Sequence, residues 1–272
     1  MVCSVSATLT RRELAMSLAF KVFALSDLGL QREGNEDSGL VSPKLIAVAD
    51  GMGGHAAGEV ASRIAVEVLQ SLSPTLISSE IDEDSIEDLL MHSLHSIDSE
   101  ISAVTDEEIE KRGMGTTLTA LLIRDKFISL LHVGDSRCYR LRGNTLEQLS
   151  NDHTVIQELL DQGAISESEA VDHPQRSMLT QALRGDGDVT PVLQMYEVKK
   201  GDRYLLCSDG LSGVLTEKEI KVGLKKSDKD AAVKFLIDAT YVNGAPDNVT
   251  VLIADISDSV ITPTTLLGAA HD

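Results

Sequence analysis

Four aspartates share one local pattern that could support chemistry. Asp50 follows the apolar run Ile-Ala-Val-Ala, Asp135 follows Leu-Leu-His-Val-Gly, Asp209 follows Tyr-Leu-Leu-Cys-Ser, and Asp247 precedes Asn-Val-Thr-Val-Leu-Ile. The end of a buried strand holds a carboxylate rigidly, and hard divalent cations prefer such oxygen ligands. Carboxylates that meet from different strands could hold two ions and activate water for hydrolysis of a phosphate ester. The alternative is that each aspartate merely starts a turn, and spacing alone does not decide between the two.

Runs rich in Val, Ile, Leu, Thr and Tyr predict the strands that would position these aspartates. The predicted strands cover residues 20–26, 44–49, 116–123, 126–133, 136–142, 191–198, 202–207 and 248–255. Their short links predict antiparallel pairing, and Gly143-Asn144 predicts a hairpin turn.

Apolar residues three and four apart predict helices at 57–72, 84–104 and 229–242, and we expect Asp84 or Ser85 to cap the second. Strands, a helix pair, more strands and a late helix predict an α+β fold in which helices cover sheets. Residues 150–190 contain short helical pieces and predict an excursion from the sheet, of a length typical of lids and binding loops. We expect one domain at 20–256, a poorly ordered extension at 1–19, and a fraying tail at 257–272.

The composition excludes several classes of protein. Of 272 residues, 42% are hydrophobic and 25% charged, as in a folded domain. Lys and Arg number 24 against 43 Asp and Glu, and the resulting charge of −19 argues against nucleic acid as a partner. The apolar runs are too short to span a bilayer, so we expect no membrane association. Cys3, Cys138 and Cys207 form no Cys-X-X-Cys pair, which favours a reduced, cytoplasmic setting.

The residues that flank the aspartates complete a set of six ordered motifs. In sequence they are Ser26-Asp27-Leu28-Gly29 with Arg32 and Asn35-Glu36-Asp37, the run Val48 to His55, Gly113 to Thr117, Val133 to Arg137, Leu206 to Leu211, and Asp247 to Thr250. In order and spacing they closely resemble the metal-dependent serine/threonine protein phosphatases (the PPM family, type 2C) in their compact bacterial form. The resemblance covers about residues 20–256.

This resemblance implies a central antiparallel β-sandwich flanked by helix pairs, in four α-β-β-α layers. It implies two Mg or Mn ions at one end of the sandwich, and a third, weaker ion. The implied reaction is hydrolysis of phosphoserine and phosphothreonine in proteins by direct attack of a metal-bridging water, without a phosphoenzyme. The implied partners are phosphoprotein substrates and a cognate serine/threonine kinase, and the implied state is a monomer.

By family role, five residues would hold the two core ions. Asp50 would bridge them, and Asp209 and Asp247 would bind the first. The carbonyl of Gly51 would bind the second ion, and Glu36 would reach it through water.

Other residues would support this centre. Asp37 would act through water contacts, Arg32 would hold the substrate phosphate, and Asp135 would bind the third ion together with Asp209. His55 could donate a proton to the leaving oxygen, or it could simply position the glycine-rich turn.

The excursion at 150–190 corresponds to the family's flap, with Asn151-Asp152-His153 and His173-Pro174 as landmarks. Ser177 and Gln181 depart from the bacterial pattern, in which Asn and a basic residue are usual, and they affect the flap rather than the metal ligands. The run Gly185-Asp186-Gly187-Asp188 lacks the other ligands of a calcium loop and is interpreted as a turn.

Two other functions fit parts of the pattern. A pseudophosphatase would keep the fold as a regulatory binding module, but it would typically have lost metal-site aspartates, and all four are present. An acidic cation-binding protein without hydrolysis would not need Arg32 or the flap.

Overall fold

Alternating side chains in short, strongly apolar strands build two antiparallel sheets. The computed structural model describes residues 18–53, 57–78, 81–170, 173–258 and 263–271. Its strands are, in chain order, β1 (Ala19–Asp27), β2 (Asp37–Val41), β3 (Leu45–Met52), β4 (Gly115–Thr116), β5 (Leu118–Arg124), β6 (Phe127–Val133), β7 (Arg137–Arg142), β8 (Thr145–Gln148), β9 (Val192–Glu197), β10 (Arg203–Cys207), β11 (Val249–Ser257) and β12 (Thr265–Gly268).

Among the described residues there are seven helices and one 3-10 turn (Ile109–Lys111), which precedes β4. The helices are α1 (Gly58–Leu76), α2 (Glu83–Glu107), α3 (Val155–Asp161), α4 (Glu167–Ala170), α5 (Asp209–Ser212), α6 (Glu217–Leu224) and α7 (Lys229–Val242). Among the described helices, none combines the length and the apolar character that crossing a bilayer requires.

Four layers are stacked around three cores. One sheet has the order β1-β11-β10-β7-β8, and the other has the order β12-β2-β3-β5-β6-β9 with β4 added beside β3. One core lies between α1, α2 and the larger sheet, a second lies between the two sheets, and a third lies under α5, α6 and α7; representative side chains are Leu69, Ile97 and Leu122, then Phe20, Leu121 and Leu206, then Leu211, Leu236 and Ile253. The predicted α+β sandwich flanked by helices is confirmed.

Strand β5 shows why the central strands are apolar on both sides. Leu118, Ala120 and Leu122 pack toward the helices, whereas Leu121 and Ile123 pack between the sheets. Because successive side chains of a strand point to opposite faces, a strand covered on both faces needs apolar residues throughout. The run 116–123 was predicted as a strand for this apolar, β-branched character.

Several predicted elements are confirmed with small shifts. All strand pairings are antiparallel among the described residues, and Gly143-Asn144 connects β7 to β8 as a hairpin. The helix predicted at 229–242 has those bounds. The predicted cap of α2 was wrong: Asp82 is the N-cap, and its carboxylate accepts a hydrogen bond from the Ser85 amide at 2.8 Å.

The expectation that the chain after residue 256 frays was wrong for part of this segment. Thr265–Gly268 pairs with β2 as an edge strand, and Gly268 lies opposite Ser38. Short polar strands such as β2 and β12 carry little periodicity, so their pairing depends on the rest of the sheet. Most of the expected extension, residues 1–17, lies outside the described residues.

Candidate metal centre and its cleft

Strand register brings the predicted aspartates to one end of the sandwich. Asp37 begins β2 and lies directly opposite Asp50, near the end of β3. In the other sheet, Asp209 follows β10 and Asp247 precedes β11, where these two strands are paired. Asp135 lies in the short link from β6 to β7, at the same end. The two sheets therefore converge on a group of carboxylates.

Two threonines hold the backbone of Asp50. The amide of Asp50 donates to Oγ1 of Thr117 at 3.0 Å, and its carbonyl accepts from the Thr117 amide at 2.9 Å and from Oγ1 of Thr116 at 3.0 Å. These bonds use the main chain of Asp50 and leave its carboxylate available. The Gly-Thr-Thr motif thus positions this aspartate from the neighbouring strand.

Asn248 fixes the loop that carries Glu36. Its Oδ1 accepts from the Glu36 amide at 2.8 Å, while its Nδ2 donates to the carbonyls of Leu28 at 2.9 Å and Gly34 at 3.0 Å. The Glu36 carbonyl in turn accepts from the Gly51 amide at 3.1 Å. Asn248 belongs to the motif that begins at Asp247, but this role was not predicted from the sequence. Its signal was an amide, able both to donate and to accept, directly after Asp247.

Asp37 is the buried member of the group. Its Oδ2 accepts a hydrogen bond from Oγ of Ser208 at 2.7 Å, and that hydroxyl also accepts from the Thr250 amide at 2.9 Å. Desolvation raises the pKa of Asp37 to about 7, and the nearby charges of Asp209 and Asp247 add to the shift. Its position behind the other carboxylates suits a supporting role.

The carboxylates raise one another's pKa values, beyond the effect of burial. Desolvation, followed by the charges of Asp37 and Asp209, raises the pKa of Asp50 well above its ordinary value. Desolvation and the charge of Asp209 raise the pKa of Asp135 to about 7. Carboxylates crowded in this way favour a cation among them.

Arg32 lies at the rim of this group. Its Nη2 donates to Oδ2 of Asp247 at 2.6 Å, with side chains that are 47% and 31% exposed. This hydrogen bond raises the pKa of Arg32, with smaller contributions from the charges of Asp247, Glu36 and Asp50. The guanidinium therefore faces the carboxylates that would hold the ions and remains open to a ligand.

The side chains of this group offer oxygen ligands, the type of ligand that suits Mg or Mn. The carboxylates come from rigid strand ends and are all oxygen ligands, which hard divalent cations prefer. As they stand, the described side chains include no group of three or more His, Cys, Asp or Glu with the spacing of a coordinated ion. Asp247 is turned toward Arg32, to whose Nη2 its Oδ2 is hydrogen-bonded at 2.6 Å.

A cleft of about 490 Å³ opens beside the carboxylates. Its lining includes Asp135, Asp209 and Asp247 on one side, and Thr154, Ile156, Leu160, Arg176 and Ser177 from the excursion on the other. The base of the excursion is held by Arg137, which makes a bidentate ion pair with Asp152 whose shortest contact is 2.6 Å. The segment predicted to be a flap thus forms a wall of the cleft.

The structure brings together all of the predicted site residues that it describes: Arg32, Glu36, Asp37, Asp50, Gly51, Asp135, Asp209 and Asp247. His55 lies outside the described residues. In the sequence, Asp152 was only part of a flap landmark, and its pairing with Arg137 was not predicted.

Known proteins are similar to this chain over most of its length. The family model described as Protein phosphatase 2C matches residues 35–245. Serine/threonine protein phosphatase PstP of Mycobacterium tuberculosis is 43% identical over 246 residues, which cover 89% of this chain and 46% of that protein. Serine/threonine phosphatase stp of Listeria monocytogenes is 36% identical over 240 residues, covering 85% of this chain and 93% of that protein.

The fold of this chain is similar to a crystal structure of the PstP catalytic domain in complex with two manganese ions. The TM-score is 0.79 and the identity 41%, with 88% of this chain and 99% of that chain covered. The chain spans about half the length of full PstP.

Proposed function

This chain belongs to the protein phosphatase 2C family, and from that membership we propose that it is a metal-dependent protein phosphatase. Its substrates would be phosphoserine and phosphothreonine in proteins, hydrolysed by direct attack of water. The observation that carries the proposal is the convergence of Asp50, Asp135, Asp209 and Asp247 from both sheets beside a cleft.

The proposed ligands divide between two core ions. Asp50 would contribute to holding both ions, Asp209 and Asp247 would hold the first, and the Gly51 carbonyl and Glu36 would serve the second. When bound, such ions lower the pKa of the attacking water and neutralise phosphoryl charge. Asp37 supports the centre from its buried position, where Ser208 already holds its carboxylate.

Arg32 orients the substrate. Its exposed guanidinium lies beside Asp247 and can donate two hydrogen bonds to the phosphate. The cleft between the carboxylates and the excursion gives the phosphorylated segment a place to lie. His55 is proposed as proton donor to the leaving oxygen, from its place in the sequence alone.

The test is hydrolysis of an aryl phosphate and of a phosphothreonine peptide with Mn, with Mg, and after EDTA treatment. We expect activity with either metal and none after EDTA. Asp209→Asn and Asp247→Asn should each lower kcat about a thousandfold or more, because each would weaken the hold on a metal ion that neutralises transition-state charge. Asp238→Asn, an exposed change on α7, is the matched control.

Full activity of metal-stripped protein would contradict the metal-dependent mechanism. Folded protein that binds Mn but hydrolyses neither substrate would instead favour the regulatory binding module.

The third, weaker ion is proposed at Asp135, which lines the cleft with Asp209. With Mn present, Asp135→Ala should leave two ions bound and the melting temperature unchanged, but it should lower kcat, most strongly on a phosphoprotein. Metal stoichiometry by calorimetry, melting temperature and kcat on one preparation decide this. A variant with lower thermal stability and normal turnover would show that Asp135 only braces its turn.

The remaining proposals concern the cellular compartment, the oligomeric state, the opposing kinase and the metal. Buried Cys138 and Cys207 are free thiols, which suits a reducing, cytoplasmic compartment. We propose that the chain acts as a monomer, opposes a cognate serine/threonine kinase, and uses Mn or Mg. Loss of activity on dilution to concentrations at which a dimer would dissociate would contradict the monomer.

A further inference from the structure

Arg184 is a second exposed arginine, beside the end of β3, the strand that carries Asp50. Strand β3 has β2, with Glu36 just before it, on one side, and β4 on the other. Leu183 pairs with Thr116 of β4, so Arg184 follows at the outer edge. Its Nη2 lies 4.0 Å from Sδ of Met52, two residues after Asp50.

The side chain of Arg184 reaches Met52 by lying over a glycine. A Cβ placed on Gly115 would come within 2.9 Å of Cγ of Arg184. Any larger residue there would push the arginine stem away from the end of β3. The absence of a side chain at Gly115 thus leaves room for the stem of Arg184 to reach Met52, two residues after Asp50.

The main chain of Arg184 is fixed by a buried carboxylate. Asp98 of α2 accepts hydrogen bonds from the amides of Arg184 at 3.1 Å, Gly185 at 2.7 Å and Gly187 at 2.8 Å. Gly185 has a φ of 77°, and a Cβ on it would approach the Ser102 amide nitrogen within 2.6 Å. The segment Gly185-Asp186-Gly187-Asp188 is therefore a turn that Asp98 holds against α2 by hydrogen bonds.

Among the described residues, no carboxylate forms an ion pair with Arg184. An exposed arginine without such a pair contrasts with the chain's charge of −19, since most of this surface repels anions.

We propose that Arg184 is a specificity-determining residue that binds an acidic side chain next to the phosphorylated residue of the substrate. The inference rests on the proposed function. Arg32 would take the phosphate, and Arg184, beside the end of β3, would take a flanking Glu or Asp. Asp98 is then a positioning residue, because it fixes the main chain from which Arg184 extends.

The experiment compares three substrates with Mn: para-nitrophenyl phosphate, a phosphothreonine peptide flanked by glutamates, and the same peptide flanked by alanines. Arg184→Ala should lower kcat/KM for the glutamate peptide about tenfold, mainly through KM, because one charge-assisted hydrogen bond is lost. The other two substrates should change less than about twofold. Arg184→Lys should keep most of the preference, since it retains the charge.

Arg112→Ala is the matched control, because it removes one exposed positive charge from the segment before β4. Asp98→Asn should weaken the glutamate preference in the same direction as Arg184→Ala. Melting temperatures of all variants separate these effects from misfolding.

The outcomes distinguish the two proposals. If the wild-type chain hydrolyses none of the substrates with Mn, the proposed function fails and this inference falls with it. If the wild type is active but Arg184→Ala lowers all three substrates alike, or leaves the glutamate peptide unaffected, Arg184 does not read flanking acids and the proposed function stands.

Discussion

The guanidinium of Arg32 has one described carboxylate partner, Asp247, and both side chains are substantially exposed. Exposed ion pairs contribute little to the free energy of unfolding. The pair therefore explains the orientation of Arg32 better than it explains any stability of the fold. A phosphate arriving at the site could take over one edge of this guanidinium.

Arg32→Ala should raise KM for a phosphothreonine peptide about tenfold or more and leave the melting temperature within about a degree, because the lost contact is an exposed one. Steady-state kinetics with Mn and a thermal melt on the same preparation check both. Arg32→Lys should recover part of the affinity, since lysine keeps the charge without the fork. Unchanged KM together with a lower melting temperature would make Arg32 a structural residue.

At the scale of elements, the excursion is held to the sandwich at its base. Arg137, at the start of β7, grips Asp152 through three hydrogen bonds, and Asp152 is almost fully buried. The Gly134 amide donates to Nδ1 of His153 at 3.1 Å, beside Asp135. The cleft wall and the proposed third-ion ligand are therefore positioned by the same short segment.

Asp152→Ala should lower the free energy of unfolding by about 3 kcal/mol, because it leaves the largely buried Arg137 guanidinium without its partner. Activity on a phosphopeptide should fall as the excursion loosens, whereas aryl phosphate hydrolysis should fall less. Denaturant unfolding measures the first effect and kinetics the second.

Glu147→Gln is the control, since Glu147 is the exposed partner of Arg140 and its loss should cost little. Equal stability of the two variants would show that the Arg137–Asp152 pair does not hold the base of the excursion.

At the scale of the whole molecule, the acidic charge is not only a solvated surface. Part of it is gathered at one end of the sandwich, where desolvation and neighbouring carboxylates raise the pKa of Asp37 and Asp135 from 3.8 to about 7. Groups with raised pKa values bind more protons in the folded chain than in the unfolded chain. Their ionisation therefore opposes folding when no cation is bound.

The metal-free protein should lose stability as pH rises from about 4 to about 7, the window between the unfolded and folded pKa values. Bound Mn replaces the protons, so its stabilising effect should be larger at about pH 7.5 than at about pH 5. Thermal melts with EDTA and with Mn at both pH values measure this. Asp135→Asn removes one such group and should make the metal-free slope shallower, and an equal Mn effect at both pH values would contradict the prediction.

The local features of this protein can be predicted from residues that are close together in the chain. The strand ends at Asp50, Asp209 and Asp247, the hairpin at Gly143 and the bounds of α7 follow from burial patterns and turn residues close together in the chain. Helix α6 could also have been predicted, because Thr216 and Glu219 form a capping box. The ordered motifs further identified the family.

Contacts between residues far apart in the chain could not be predicted from the sequence and follow from the fold. Strand β12 pairs with β2 across more than two hundred residues, and Arg32 pairs with Asp247 at a similar separation. The clamp of Asp98 on the turn after Arg184 likewise joins residues 86 apart in sequence. Such contacts depend on how the two sheets and α2 pack, and no local periodicity encodes that packing. The sequence pattern therefore places Asp247 at a strand end, but the pairing of Asp247 with Arg32 follows only from the fold.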